Sequence, residues 1–216
     1  MGLRNGAHGY GLVTKALHWS TVLLLVAQFG IGLTMDVDGA ADAADQRLDA
    51  FAERGERLAK AEGKAAEERF EAALERREAA VDAMEDAPGS VALADVVTGS
   101  VLGRGISAVE AHVSVGLLLL ALGLARLLWR RITPLPPWAA HLSGAERRFE
   151  SRLERTLLTL LLVVPSTGVA LALGGDDLLP LHVSAQVALV ATVALHTGLV
   201  LKHTMVRPNE HLSRML

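Results

Sequence analysis

Two histidines, His182 and His196, stand fourteen residues apart in one long apolar segment, residues 181–203. Fourteen residues make almost four helical turns, so the two imidazoles share a helix face to within about 40° and lie about 21 Å apart along the axis. Ionisable side chains at membrane depth are costly and mark functional sites. The spacing therefore predicts two redox centres in series, one near each side of a bilayer.

The composition places these histidines in a membrane protein. Of the 216 residues, 51% are hydrophobic but only 4% are aromatic, so the apolar mass is Leu, Val and Ala. The chain has no cysteine, which excludes disulfides, Cys-ligated iron–sulfur clusters and covalently attached haem. Four stretches have the roughly 20 residues that a span requires: 13–35, 109–130, 154–174 and 180–203. We therefore predict an all-α fold, a transmembrane four-helix bundle.

Charge is distributed unevenly along the chain and predicts the orientation of the spans. Residues 36–110 hold 18 of the 24 acidic residues but only 9 of the 21 basic ones. The other basic residues lie near the two termini and around the connection between the second and third spans. By the positive-inside rule, we expect a multi-pass protein of the cell inner membrane with both termini cytoplasmic.

The segment between the first two spans is predicted to form a unit of its own. We divide the chain into a transmembrane domain, residues 1–35 and 109–216, and an acidic, largely helical extracytoplasmic insert, residues 36–108. Residues 40–86 are rich in helix-favouring Ala, Glu and Arg, and their sparse apolar positions predict a solvated helical hairpin. The alternative is a docking arm for an outer partner or for a second copy of the chain, which would make a homodimer.

Five of the eight histidines lie in or at the spans, and they sort by depth. His112 and His182 lie near the outer ends of the second and fourth spans and form an outer pair. His18 and His196 lie deeper toward the cytoplasmic side, in the first and fourth spans, and form an inner pair. His203, the fifth of these histidines, belongs to neither pair. The remaining three histidines are predicted to be surface residues: His8, His141 and His211.

Paired histidines in a membrane bundle are suited to three kinds of chemistry: a zinc site, a proton relay or a haem. Zinc usually recruits a carboxylate or a cysteine, and a proton relay uses interleaved acids. No Asp or Glu lies at membrane depth beside these histidines. A b-type haem needs two neutral imidazoles on facing helices, which the core of a bundle supplies. The pattern therefore favours haem.

Two residues of the second span, Gly116 and Arg126, extend this hypothesis. Gly116, one turn after His112, leaves room for a flat macrocycle, although small residues also serve ordinary helix packing. Arg126 lies fourteen residues after His112, on the same face and at the depth of the inner pair. A haem propionate would supply the anion that a buried arginine needs; an arginine that snorkels to the interface is the alternative.

Several stretches of the chain carry a family resemblance. They are YGLVTKALHW at 10–19, HVSVG at 112–116 with RLLWR at 126–130, PSTG at 165–168, and the three histidines of the last span. In these stretches the chain resembles the bacterial cytochrome b561 family, which are four-helix dihaem membrane cytochromes. The resemblance implies two haem b groups, an outer one held by His112 and His182 and an inner one held by His18 and His196. It also implies electron exchange with the quinone pool, and in some relatives the donor is superoxide.

Two features of the chain depart from that resemblance. Family members often carry a histidine near the start of the third span, where this chain has Glu154. Glu154 leaves the four inferred ligands in place but changes the chemistry near the inner haem. The insert is much longer than the loop expected there, which leaves the outer redox partner open.

The predicted function is transmembrane electron transfer between an extracytoplasmic donor and membrane quinone. The partners are membrane lipid, quinone and an unidentified donor, and no nucleic acid. An electron carrier and a quinone-linked oxidoreductase are both compatible with this function. A close alternative is a haem b subunit that anchors a larger dehydrogenase, hydrogenase or reductase. An alternative of another class is a non-redox membrane scaffold that presents the acidic insert.

Overall fold

The computed structural model of the protein is built from α-helices joined by short connections. It describes residues 2–6, 9–35, 38–86, 88–103, 106–137 and 143–206. The all-α prediction is confirmed. The helices found in these residues are α1 (Leu12–Thr34), α2 (Asp38–Glu62), α3 (Lys64–Asp86), α4 (Pro88–Thr98), α5 (Ala108–Ile132), α6 (Gly144–Ala172) and α7 (Leu179–Val206).

Four of these helices, α1, α5, α6 and α7, are long and apolar enough to cross a membrane. The predicted spans agree with α1 and α5 to within one or two residues at each end. The third span was expected to begin at residue 154, whereas α6 already begins at Gly144. The polar residues ahead of the apolar stretch are therefore helical too, which hydropathy does not indicate.

Capping boxes explain where α5 and α6 begin. At α6, the Glu146 carboxylate accepts a hydrogen bond from the Ser143 backbone N–H at 2.9 Å, and Ser143 Oγ accepts one from the Glu146 N–H at 3.2 Å. Ser107 and Glu110 form the same reciprocal pair at α5, at 2.8 and 3.2 Å. Each box satisfies two backbone N–H donors that the start of a helix leaves without a partner. The caps thus fix the starting points of two spanning helices.

The chain divides into two compact units. The first comprises Met1–Gly30, Val115–Leu171 and Gly175–Leu216, and so contains most of the four spanning helices. The second comprises Ile31–Ser114 and Ala172–Gly174, and so contains α2, α3 and α4. The division that we made from sequence, with limits at 35/36 and 108/109, stays a prediction.

The first unit has a core of small and branched apolar side chains. Leu119 of α5, Leu161 of α6 and Leu189 of α7 are each less than 5% exposed. Gly123 of α5 lies against the side chains of Leu161 and Leu162, where a Cβ would come within 2.8 Å of Leu162 Cδ2. Small residues of this kind let membrane helices approach one another. Several other Leu and Val side chains of these helices are exposed, among them Leu23, Val26 and Val187, as a lipid environment allows.

The second unit contains the helical hairpin expected from sequence. Helices α2 and α3 pack along each other and are joined at Gly63, whose φ of +99° favours glycine. The rings of Phe51 and Phe70 lie 5.5 Å apart, and the Arg77 guanidinium lies 3.8 Å above the Phe51 ring. Gly55 lies directly against the Phe70 ring, so that a Cβ added there would overlap it. The thin apolar seam of the hairpin is therefore centred on these aromatic rings.

The contact between Gly55 and Phe70 makes a prediction about the stability of the hairpin. Gly55→Ala should destabilise it by about 1–3 kcal/mol, because the added methyl group overpacks against the ring. In a Phe70→Ala background the same change should stabilise it by about 0.5–1 kcal/mol, because alanine is then only a better helix former. Limited proteolysis of the hairpin in the unsubstituted protein, the two single variants and the double variant measures these opening free energies. Stabilisation by Gly55→Ala alone would contradict the contact.

Candidate functional site

The first unit brings together three of the predicted site residues. His18 of α1, Arg126 of α5 and His196 of α7 are half-buried and lie close enough to interact electrostatically. We call these three residues the His18–His196 cluster. Trp19 lies edge-on to the His18 ring, with centroids 5.5 Å apart. Neither imidazole of the cluster forms a hydrogen bond to another residue that the structure describes, so a ring nitrogen of each is available to a ligand.

Arg126 is held in the cluster by a neutral partner. Its Nη1 donates a hydrogen bond to Thr21 Oγ1 at 3.2 Å, and the Thr21 hydroxyl donates in turn to the Leu17 carbonyl at 2.7 Å. Thr21 is only 4% exposed. Within the described part of the chain, no carboxylate forms an ion pair with Arg126. A guanidinium has five N–H donors, so most of those of Arg126 remain for an anionic ligand.

Glu154, which stands where the family often has a histidine, forms an ion pair with Arg130. Arg130 Nη1 lies 2.9 Å from one carboxylate oxygen, and Arg130 Nη2 donates to the other at 3.2 Å. This two-point geometry is the strong form of an arginine–carboxylate pair. Because Glu154 neutralises Arg130, Arg126 supplies the positive charge next to the two imidazoles.

The first unit holds His182 in a separate site, which we call the His182 pocket: His182, Thr167, Gly168 and Gln186. The imidazole is 9% exposed. Its Nδ1 lies 3.0 Å from Thr167 Oγ1, and its Nε2 lies 2.7 Å from the Gln186 side-chain nitrogen. A Cβ on Gly168 would come within 3.0 Å of the ring, so α6 can approach the imidazole only because this residue is glycine.

Thr167 and Gly168 lie in the PSTG stretch at 165–168 that carries the family resemblance, whereas Thr21 and Gln186 were not selected from sequence. Thr21 and Gln186 carry a weak signal, since each lies about one helical turn after a histidine and so on its face: Thr21 after His18, Gln186 after His182. Thr167 and Gly168 lie on a different helix from His182. Periodicity within one helix therefore could not have found them.

His112 and Gly116, the other two predicted site residues, lie in different units. In the second unit, His112 is half-buried against α1, where a Cβ on Gly32 would come within 3.3 Å of the imidazole. In the first unit, Gly116 faces the Gln28 side chain, whose nitrogen would lie 3.5 Å from an added Cβ. The pairing of His112 with His182 and the role of Gly116 in making room for a macrocycle both stay predictions.

Four histidines remain outside these sites. His8, His141 and His211, predicted to be surface residues, lie outside the described residues. His203 lies in α7, but its side chain is outside the described part of the structure. Among the side chains that are described, no group of three or more His, Cys, Asp or Glu could hold a metal ion. Structural zinc sites use four such ligands.

The fold and the sites together define an integral membrane protein whose helix bundle carries imidazoles inside it. The family model for prokaryotic cytochrome b561 matches residues 9–216, nearly the whole chain, and the chain therefore belongs to that family. It is a multi-pass membrane protein that binds haem b and transfers electrons. The chain has no match among curated proteins or solved structures.

The residues of the His18–His196 cluster fit a haem b group. The cluster offers two imidazoles from different helices, which is the donor set of a six-coordinate b haem. It also offers a half-buried guanidinium with unused donors, which suits a propionate. The side chains of the cluster are therefore suited to holding haem b.

The charges around the cluster predict opposite changes in redox potential. Arg126→Leu should lower the midpoint potential of the adjacent haem, and Glu154→Gln should raise it, because the reduced form carries one more negative charge. A unit charge about 10 Å away contributes about 1–2 kcal/mol at an effective dielectric constant of about 20. Since 1.4 kcal/mol corresponds to about 59 mV for one electron, we expect shifts of tens of millivolts.

Potentiometric titration of the purified variants measures these shifts. Arg131→Leu, which removes a positive charge from an exposed position of α5, is the control and should leave the potentials nearly unchanged. Shifts of the same sign in Arg126→Leu and Glu154→Gln, or equal shifts in every haem, would place Arg126 away from the haem.

Proposed function

We propose that the protein transfers electrons across the cell inner membrane, between an extracytoplasmic donor and the quinone pool, with two bis-His b haems as its redox groups. One observation carries the proposal. Helix α7 presents imidazoles in two separate settings, with His196 in the His18–His196 cluster and His182 in the His182 pocket. By helix geometry the two positions are about 21 Å apart along α7, a separation suited to two centres in series across a bilayer.

The residues of the chain have distinct roles in this proposal. His18 and His196 hold the inner haem, and His112 and His182 hold the outer one. Arg126 binds a propionate and stabilises added negative charge, and the apolar side chains around the imidazoles exclude water. Haem b, when bound, supplies one-electron redox chemistry, while the protein sets its ligands, its dielectric environment and the nearby charge.

The orientation and the donor are proposed from charge. The positive-inside rule supports cytoplasmic termini and an extracytoplasmic insert. The insert exposes acidic side chains along both helices of its hairpin, which would attract a basic donor and repel an anion. On this argument a basic donor protein fits the surface better than superoxide, which is an anion.

A second candidate is a haem b subunit that anchors a larger dehydrogenase, hydrogenase or reductase. The observation that favours it is the length of the α2–α3 hairpin, which offers a contact surface beyond the four spanning helices. Co-purification of a stoichiometric redox subunit with the chain from its native membrane would support the anchor. Isolation of the chain alone with full quinone-linked electron transfer would support the independent carrier or oxidoreductase.

The ligand pairs can be separated by single substitutions. His18→Ala and His196→Ala should damage one and the same haem, and His112→Ala and His182→Ala should damage the other, because each substitution removes one of the two imidazoles that would hold that haem. Low-temperature visible spectra and redox titrations of the four variants identify which centre is lost. If the His18 and His182 variants lose the same centre, the pairing by depth is wrong.

The proposed separation of the insert from the haem sites gives another prediction. Replacing residues 41–86 with a short Gly/Ser linker should preserve haem content and spectra, because the hairpin packs on itself and carries no proposed ligand. Reduction by a basic donor should become slower at low ionic strength, and the difference should fade as salt screens the charges. Stopped-flow reduction across a range of ionic strength measures both effects.

A matched control keeps the hairpin but removes charge. Glu71→Gln, Glu75→Gln and Glu78→Gln together replace three exposed carboxylates of α3 and should reproduce part of the kinetic effect. Loss of haem on shortening would show that the insert is needed to build the haem sites. Identical rates at low salt for all three proteins would leave the insert as a solvated hairpin without a docking role.

A further inference from the structure

The Thr167 hydroxyl lies between the backbone of α6 and the imidazole of His182. Thr167 Oγ1 is 2.8 Å from the Val164 carbonyl oxygen and 3.0 Å from His182 Nδ1. A carbonyl oxygen can only accept, so the single hydroxyl proton of Thr167 is donated to Val164. The hydroxyl oxygen then accepts a hydrogen bond from His182, and the imidazole also interacts with the Val164 carbonyl. Both acceptors place the imidazole proton on Nδ1.

The other ring nitrogen has the complementary role. With the proton on Nδ1, the neutral imidazole carries its lone pair on Nε2. Gln186, one turn further along α7, places its amide nitrogen 2.7 Å from Nε2 and donates to that lone pair. The Gln186 amide therefore contacts the ring nitrogen through which this tautomer would bind a metal ion.

Packing keeps the ring in this orientation. The imidazole is 9% exposed, and the backbone of Gly168 lies so close that an added Cβ would be 3.0 Å from Cε1 and 3.5 Å from Nδ1. Thr167 and Gly168 are consecutive residues of α6. One short segment of this neighbouring helix therefore fixes both which ring nitrogen carries the proton and how the ring is rotated.

We propose that Thr167 is a positioning residue for the haem ligand His182. It holds the imidazole with Nδ1 protonated, so that Nε2 binds iron in place of the Gln186 amide. By accepting the Nδ1–H hydrogen bond it also makes the imidazole a stronger donor to iron, as hydrogen-bond partners of metal-bound histidines do. This inference rests on the proposed function, in which His182 is an axial ligand.

The test compares Thr167→Val, which keeps the shape but removes the hydroxyl, with Thr167→Ser, which keeps the hydroxyl. Ser184→Ala is the control, because the exposed Ser184 hydroxyl bonds only to a carbonyl of its own helix, that of Pro180. Haem transfer from the full-length holoprotein to excess apomyoglobin measures retention. Potentiometric titration and low-spin electron paramagnetic resonance report on the iron.

Thr167→Val should release one haem about 10- to 100-fold more readily, in the range found for partners of metal-bound histidines. It should also raise the midpoint potential of that haem, because a weaker donor stabilises the ferric state less, and leave the other haem unchanged. Thr167→Ser should restore both properties, and Ser184→Ala should match the unsubstituted protein. Unchanged retention and potential in Thr167→Val would overturn the inference.

His182→Ala separates this inference from the function on which it rests. If His182→Ala loses one haem and Thr167→Val has no effect, only the positioning role of Thr167 fails. If His182→Ala retains every haem, His182 is not a ligand and the proposed function fails with the inference. A Thr167→Val effect that Thr167→Ser does not reverse would assign the change to packing and overturn the role of the hydroxyl.

Discussion

A polar ring inside a membrane helix must receive its partners from the protein, because hydrocarbon provides none. This constraint organises the bundle. His182 contacts a hydroxyl and an amide in its pocket, while His18 and His196 lie close enough to each other and to the Arg126 guanidinium to interact electrostatically. The apolar stretches of the spanning helices carry few other charged residues, so these polar contacts mark the candidate functional sites. In the proposed function, the same imidazoles also serve as the ligands of the haem iron.

The charged side chains of the bundle also receive their partners from the protein. Arg126 donates a hydrogen bond to the Thr21 hydroxyl, which donates in turn to a backbone carbonyl of α1. The neighbouring Arg130 is neutralised by Glu154. The positive charge of Arg126 therefore remains within the cluster, where it favours an anionic propionate and an added electron. Acidic charge is concentrated instead on the α2–α3 hairpin. In the proposed function, the bundle therefore tunes the redox groups and the hairpin recognises an outer partner.

The sequence predicted those parts of the structure that depend on periodicity and length. The spans follow from apolar length. His18, His196 and Arg126 lie close enough to interact, in agreement with the pairing by depth, while their role as a haem site stays a prediction. The start of α6 was missed because the reciprocal bonds between Ser143 and Glu146 extend the helix into polar sequence. Thr167 as the partner of His182, and Thr21 as the partner of the cluster arginine, could not be predicted, because they depend on how neighbouring helices are rotated and on side-chain rotamers.

The central claim is that one chain holds two b haems, each between two imidazoles. Its most direct test is a haem-to-protein ratio for the purified chain, measured by the pyridine haemochrome method together with electron paramagnetic resonance of the oxidised protein. The account predicts two haem b groups per chain, both low-spin, and no high-spin ferric signal. A ratio of one, or a second haem with a high-spin signal and an open axial position, would contradict it.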